Sequence, residues 1–179
     1  MHAKTLRNLL CFLLCCSLMV VAQSARPQPA AVLYPQDTKT IESTLNALYE
    51  VISGPSGERD WPRFRALFVP RAILIYNGRS RKGNFLRNQM TPDDYALRSR
   101  DIFRNKAFYE SAVANHIDRY GDIAQVFSTY ESRVAPDGPP KARGINAIQM
   151  VWDGERWWVV SITWEAESPE LPIPPQYQP

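Results

Sequence analysis

The sequence predicts an α+β domain, with helices packed on one face of a curved, mostly antiparallel sheet. Three observations predict it. Apolar residues at helical spacing fill the N-terminal half, β-rich segments fill the second half, and an Asp153-Gly154 turn splits the longest of these. Helices grouped first and strands grouped last suit a helical layer on an antiparallel sheet.

The first residues read as a targeting segment rather than as part of the fold. Lys4 and Arg7 make a positive start, and residues 9–21 are apolar apart from cysteines and Ser17. That run is short for a membrane span of ~20 residues and suits a signal peptide. Small residues up to Ala22 permit cleavage there, so residues 1–22 are assigned as signal peptide and the protein as periplasmic or secreted. A second cleavage position follows at Ser24. A retained anchor is the alternative. A lipoprotein at Cys15 or Cys16 would need a small preceding residue, where Leu14 and Cys15 stand.

Removing Lys4 and Arg7 lowers the formal charge from +3 to +1, and all three cysteines leave with the segment. One histidine, His116, remains. A thiol nucleophile, a thiolate zinc site and a multi-histidine metal site are therefore excluded, and no metal or cofactor is implied. No phosphate-cradling glycine loop or nucleophile elbow occurs. A near-neutral chain argues against nucleic acid as a partner, and contact with membrane is expected only during export. The remaining ~155 residues suffice for one domain held by its core alone.

Residues 23–36 are rich in proline and alanine and read as an extended leader. The domain proper is placed at residues 37–167. A first helix is predicted over about 38–52, capped by Asp37 or Thr38 and stopped by Gly54-Pro55. Its stripe is Ile41, Leu45, Leu48 and Ile52. A short second helix starts at Asp60, with Pro62 in its first turn and Trp61, Phe64, Leu67 and Phe68 buried. A strand follows over 72–77. The third helix opens at Thr91-Pro92-Asp93-Asp94, a cap with acids in the first turn, and directs Tyr95, Ile102 and Phe103 inward. Long strands follow over 109–119, 123–135 and 144–165, the last folded on itself. Tyr120-Gly121-Asp122 reads as a tight turn and Asp153-Gly154 as a hairpin. The tail, 168–179, carries five prolines and is expected to be an irregular, disordered end.

Two stretches carry a family likeness. Residues 144–152 (GINAIQMVW) and 153–162 (DGERWWVVSI) look like the last hairpin of the NTF2-like superfamily, SnoaL-like branch. Residues 60–68 (DWPRFRALF) look like its second helix. The order of elements resembles that family over about 38–167. The resemblance implies a cone: three N-terminal helices on a curved sheet, with a pocket between them and often a dimer through the outer sheet face. It fixes no activity, because the superfamily spans isomerases, dehydratases, hydrolases, cyclases and catalytically silent modules. Ketosteroid isomerase-like sites pair a tyrosine with strand carboxylates, and epoxide-hydrolase-like sites use an Asp-Arg-Asp set. Neither maps onto this chain residue by residue.

Strand parity divides the last hairpin. A two- or four-residue loop at Asp153-Gly154 leaves Asn146, Ile148, Met150, Trp152, Trp157, Val159, Ser161 and Thr163 on one face. That face mixes bulky and polar groups and is assigned to the pocket. Trp158, Ile162 and Trp164 fall on the other, assigned to a homodimer interface unless the tail or leader covers it. Tyr76 and Tyr130 are candidate donors to a ligand, so the expected pocket set is Tyr76, Asn146, Met150, Trp157, Ser161 and Thr163.

Candidate acid–base groups are few. His116 and Asp118 share a strand face and could act as a base with its orienter, or sit on the surface. Glu131 lies two residues from Arg133 and is either a pocket carboxylate or a cross-strand ion pair. Glu165 and Glu167 have no carboxylate partner that the letters place near them. Arginines and lysines concentrate between Arg79 and Lys106 as a solvated face or an anion site. The expected function is ligand binding, of a small partly apolar molecule or a peptide, by a dimer. The alternative is a cofactor-free lyase, isomerase or hydrolase using His116 with Asp118, or Glu131.

Overall fold

The computed structural model describes residues 34–79 and 83–179. The signal-peptide assignment, and the leader up to residue 33, lie outside the described residues. A single 3-10 turn, Pro35–Thr38, precedes helix α1, Ile41–Ile52. The cap is Thr40, not Asp37 or Thr38. Its hydroxyl accepts from the Ser43 amide, and Ser43 returns the bond to the Thr40 amide, satisfying two free helix-end donors. The predicted stripe of Ile41, Leu45, Leu48 and Ile52 is buried.

Helix α2, Trp61–Ala66, starts as read: the Asp60 carboxylate accepts from the Arg63 amide at 2.9 Å. Trp61, Phe64, Leu67 and Phe68 are all buried. Helix α3, Pro92–Asn105, has a reciprocal cap between Thr91 and Asp94. Phe103 and Ala96 point inward, but Ile102 is 57% exposed. Adjacent residues on a helix lie 100° apart, so Phe103 and Ile102 cannot both face a narrow seam.

The six strands are β1 Phe68–Arg79, β2 Phe85–Met90, β3 Tyr109–Tyr120, β4 Ile123–Arg133, β5 Ala142–Trp152 and β6 Trp157–Ala166. They form one sheet in the order β2-β1-β6-β5-β4-β3. Only β1 and β6 run parallel. The architecture is therefore the α+β, NTF2-like cone, with the helices against the concave side of a curved, open, mixed sheet. Strand β2 (FLRNQM) was not predicted. It is an edge strand with mostly exposed side chains, so it lacks the apolar alternation that marks half-buried strands.

The last hairpin closes through a four-residue loop pairing Trp152 with Trp157. Asp153 orders it by accepting from the amides of Glu155 and Arg156, both at 2.9 Å. Two irregularities then alter parity. Val113 is an extra residue in β3 between Ala112 and Ala114, and β6 slips against β5 between Met150–Val159 and Gln149–Ser161. Each extra residue turns everything beyond it to the other face.

The tail is ordered along the convex face, contrary to the disordered end expected. Ile173 is 4% exposed there and donates its amide to Glu167. Tyr177 stacks on Phe127 at 5.0 Å between centroids, and Thr129 donates its hydroxyl to the Tyr177 carbonyl. Prolines leave few backbone donors to satisfy, so an extended tail can dock by side chains alone. Replacing Ile173 with serine is expected to loosen this tail by about 1.5–2 kcal/mol, the cost of losing one buried aliphatic side chain. Amide exchange at Tyr177 would report it, and unchanged protection would contradict it.

Candidate functional site

The concave side holds a cavity of about 280 Å³ between the helices and the open end of the sheet. Its floor is aliphatic: Leu48 and Ile52 from α1, Leu74 from β1, Ile148 from β5 and Ile162 from β6. Aromatic walls come from Phe64, Tyr95, Phe108, Tyr130 and Trp164. Several of these belong to a chain of touching rings that runs from Phe108 through Phe103, Trp61, Phe64 and Tyr95 to Trp164 and Tyr76. Successive centroids are 5.2, 6.1, 5.8, 5.3, 6.4 and 5.9 Å apart. Ring pairs in this range pack favourably edge to face or offset.

The polar content is small and converges. Tyr49, on the buried side of α1, has its hydroxyl 2.6 Å from Ser128 Oγ on β4. Asn146 Nδ2 on β5 donates to the same hydroxyl at 3.1 Å. Asn146 shares the cavity lining with Glu110, at the start of β3, and favours the ionised form of its carboxyl. Burial lifts the Glu110 carboxyl to about 7, against that opposing effect. Burial likewise lifts the Tyr49 hydroxyl to about 12. It raises Tyr95 and Tyr130 as well, both of which also feel the Glu110 charge.

Glu110 is fixed by the backbone around it. Gly54 and Phe108 exchange amide–carbonyl bonds of 2.7 and 3.0 Å, which ties the end of α1 to the start of β3. Ser53 Oγ accepts the Glu110 amide at 2.9 Å and donates to the Tyr49 carbonyl at 2.7 Å. Gly54 has φ of +152°, a left-handed-side value that favours glycine at this junction.

Of the expected pocket residues, Asn146 lines the cavity. Met150 and Trp157 are buried in the core and do not line it. Tyr76 lies at the rim against the Trp164 ring. Ser161 and Thr163 are on the convex side, where Ser161 faces Gln149 and Thr163 borders the tail groove. Ile162 and Trp164, expected at the interface, line the cavity. The slip in β6 is the reason: it exchanges the two sets beyond Val159. Trp158, before the slip, stays convex under the Arg156 guanidinium, 3.8 Å from its ring centroid.

The acid–base candidates also sit outside the cavity. His116 Nε2 lies 3.5 Å from Asp118, but the two side chains are 52% and 80% exposed. Their strand paired Glu110 and His116 on one face until Val113 intervened. Glu131 contacts Arg133 and lies 3.3 Å from Arg143, which reaches Glu167 at 3.4 Å: a convex-side ion network. Glu110 was missed because it is a lone acid between Tyr109 and Ser111. Its one legible signal is that residues 107–115 carry no other charge. Among the described residues, no cluster of histidine, cysteine or carboxylate side chains can hold a metal ion.

The chain matches no protein-family model and no curated protein sequence. Its fold is shared with solved structures of low sequence identity. A Thiobacillus denitrificans protein, ascribed to the calcium/calmodulin-dependent protein kinase type II association domain, superposes with TM-score 0.56 at 14% identity. That match covers 72% of this chain and 96% of the other. A Nostoc punctiforme protein of unknown function with a cystatin-like fold gives 0.53 at 13%, covering 74% and 96%. An NTF-2-like protein of unknown function from Silicibacter pomeroyi gives 0.45 at 16%, covering 72% and 99%. These likenesses concern the fold alone.

Proposed function

We propose that this domain binds a small, partly apolar molecule in the concave cavity. One observation carries the proposal: an aromatic-walled cavity of about 280 Å³ in which a carboxyl, a carboxamide and a phenol meet at one place. Apolar walls with a few convergent polar groups are the usual make-up of a small-molecule site. A fragment screen read at the Trp164 indole NMR resonance is the test. Fragments that shift it, and fail to after Ile162→Trp fills the space, support the reading. A library that leaves Trp164 unmoved overturns it.

A second reading rests on Glu110 alone. A carboxyl near 7 inside a cavity is suited to taking and returning protons at neutral pH. The domain would then be a cofactor-free isomerase, lyase or hydrolase using Glu110, with Tyr49 and Asn146 as its polar neighbours. Turnover of any bound compound should vanish in Glu110→Gln while binding persists.

We further propose that the protein is exported and forms a homodimer. The convex face beyond the tail carries Ile73 at 40% exposure, with Val151, Val160 and Trp158 partly exposed, which supports a homodimer. Light scattering on the mature protein would give its mass. Export is supported by the character of residues 1–22, and N-terminal sequencing of the cellular protein would identify the cut.

A further inference from the structure

Resting on the cavity-binding reading, we infer that the ligand is a small organic cation, an amine or quaternary ammonium. Its charge would sit between the Glu110 carboxylate and the aromatic walls.

The composition of the cavity points there. Among the residues that line it there is one carboxyl and no arginine, lysine or histidine. An anionic ligand would meet Glu110 with nothing to balance it. A neutral apolar ligand would leave a carboxyl in a drier site with only Asn146 acting to favour its ionised form. The Tyr49 hydroxyl is already engaged by Ser128 and Asn146. What the site lacks is positive charge.

The walls are built to receive one. Phe64, Tyr95, Tyr130 and Trp164 come from four different elements and Phe108 from the segment leading into β3, so aromatic surface meets the ligand from several sides. The faces of such rings attract cations, most strongly when water is excluded, and aromatic cages recognise quaternary ammonium groups this way. The ring chain from Phe108 to Tyr76 holds four of these walls, Phe108, Phe64, Tyr95 and Trp164, in place before any ligand arrives. Tyr95 and Tyr130 both respond to the Glu110 charge, so carboxylate and rings act on one volume.

Binding of a cation in this cavity depends on pH. Towards Glu110, α1 presents Tyr49, α3 presents Tyr95 and β4 presents Tyr130, with Tyr76 of β1 adjoining. α2, β5 and β6 present no ionisable lining side chain. Tyr49, Tyr95 and Tyr130 are all raised above their ordinary value. Glu110 is therefore the group that titrates near neutrality. A cation binds its ionised form, so affinity rises as pH climbs through about 7 and then levels. A neutral hydrogen-bond acceptor needs the protonated form and shows the opposite trend.

The test titrates the full mature protein with benzyltrimethylammonium, its uncharged isostere neopentylbenzene, acetophenone and benzoate, read at the Trp164 indole resonance. Benzyltrimethylammonium is expected to bind at least tenfold more tightly than neopentylbenzene. Its affinity should strengthen on the order of a hundredfold from pH 5 to pH 8. Glu110→Gln should remove both the preference and the pH dependence. The isosteric change keeps the cavity shape, and the pH series on the unaltered protein gives the answer without any variant. Equal or tighter binding of neopentylbenzene, acetophenone or benzoate, or strengthening on acidification, overturns the cation inference and leaves the cavity reading standing. If none of the four moves Trp164, both fall.

Discussion

Replacing Glu110 with glutamine is expected to stabilise the protein at pH 8 by about 2–3 kcal/mol and to leave its stability at pH 4 unchanged. Burial lifts the folded-state carboxyl from 4.5 to about 7. Between those values the unfolded chain has released this proton and the folded chain still holds it. The folded state then binds more protons, so stability falls as pH rises through the window and flattens above it. Each unit corresponds to about 1.4 kcal/mol, and some is returned by water reaching a half-buried group, which gives the range stated. Glutamine keeps the shape and never ionises, so the variant should show no slope there. Other perturbed carboxylates do not confuse the window. Glu58 is held below its ordinary value by Arg104, Asp94 by Thr91 and Asp153 by Trp158, so their contributions are lost only at more acid pH. Urea unfolding at pH 4 and pH 8 makes the comparison. An offset between variant and parent that is the same at both pH values would show that Glu110 is not a buried acid. A site group that destabilises its own fold is the usual signature of function maintained against stability.

The sequence made the frame of this site legible and hid its contents. Helix stripes and caps depend on local spacing, so α1 and α2 could be read from Ile41, Leu45, Leu48 and Asp60 directly. The Asp153-Gly154 turn fixed the hairpin for the same reason. Facing was another matter. Nothing in the letters Ala112-Val113-Ala114 or Val159-Val160-Ser161 marks an extra residue, since small and β-branched side chains fit either face of a pleat. A strict period of two therefore left His116 and Asp118 as candidates on one strand face and carried Ser161 into the cavity in place of Ile162. One residue of slip in β6 exchanged Ser161 and Thr163 for the Ile162 and Trp164 walls now seen. The tail shows the converse limit. Its prolines read as disorder, yet Ile173 and Tyr177 supply the two anchors that an extended segment needs to dock.

The largest stability effect is expected at Arg59, a residue whose place in a loop gave no hint of its burial. Its guanidinium is enclosed and donates to four backbone carbonyls: Ile52 at 2.8 Å, Pro55 at 2.9 Å, Gly54 at 3.0 Å and Gly57 at 3.2 Å. It also lies 5.0 Å from the centre of the Phe103 ring. The C-terminal turn of a helix leaves carbonyls without intrahelical donors, and here one side chain answers for the end of α1 and the loop after it. Arg59→Met keeps the volume and removes every donor. Bonds to a charged group contribute more than neutral ones, and each abandoned buried carbonyl costs about 1–3 kcal/mol. With partial relief by water, the expected loss is about 3–5 kcal/mol. Arg59→Lys should recover only a minor part, because a single ammonium cannot reach carbonyls spread around a planar fork. The consequence should reach the cavity. Gly54 is paired to Phe108, and Ser53 holds the Glu110 amide, so a loosened α1 end frees the strand that carries the carboxyl. Arg59→Met is therefore expected to lower the urea midpoint and to return the Glu110 carboxyl towards its ordinary value, followed by carboxyl-carbon NMR. A variant as stable as the parent would mean that solvent already serves those carbonyls. A destabilised variant with an unmoved Glu110 would separate the clamp from the site.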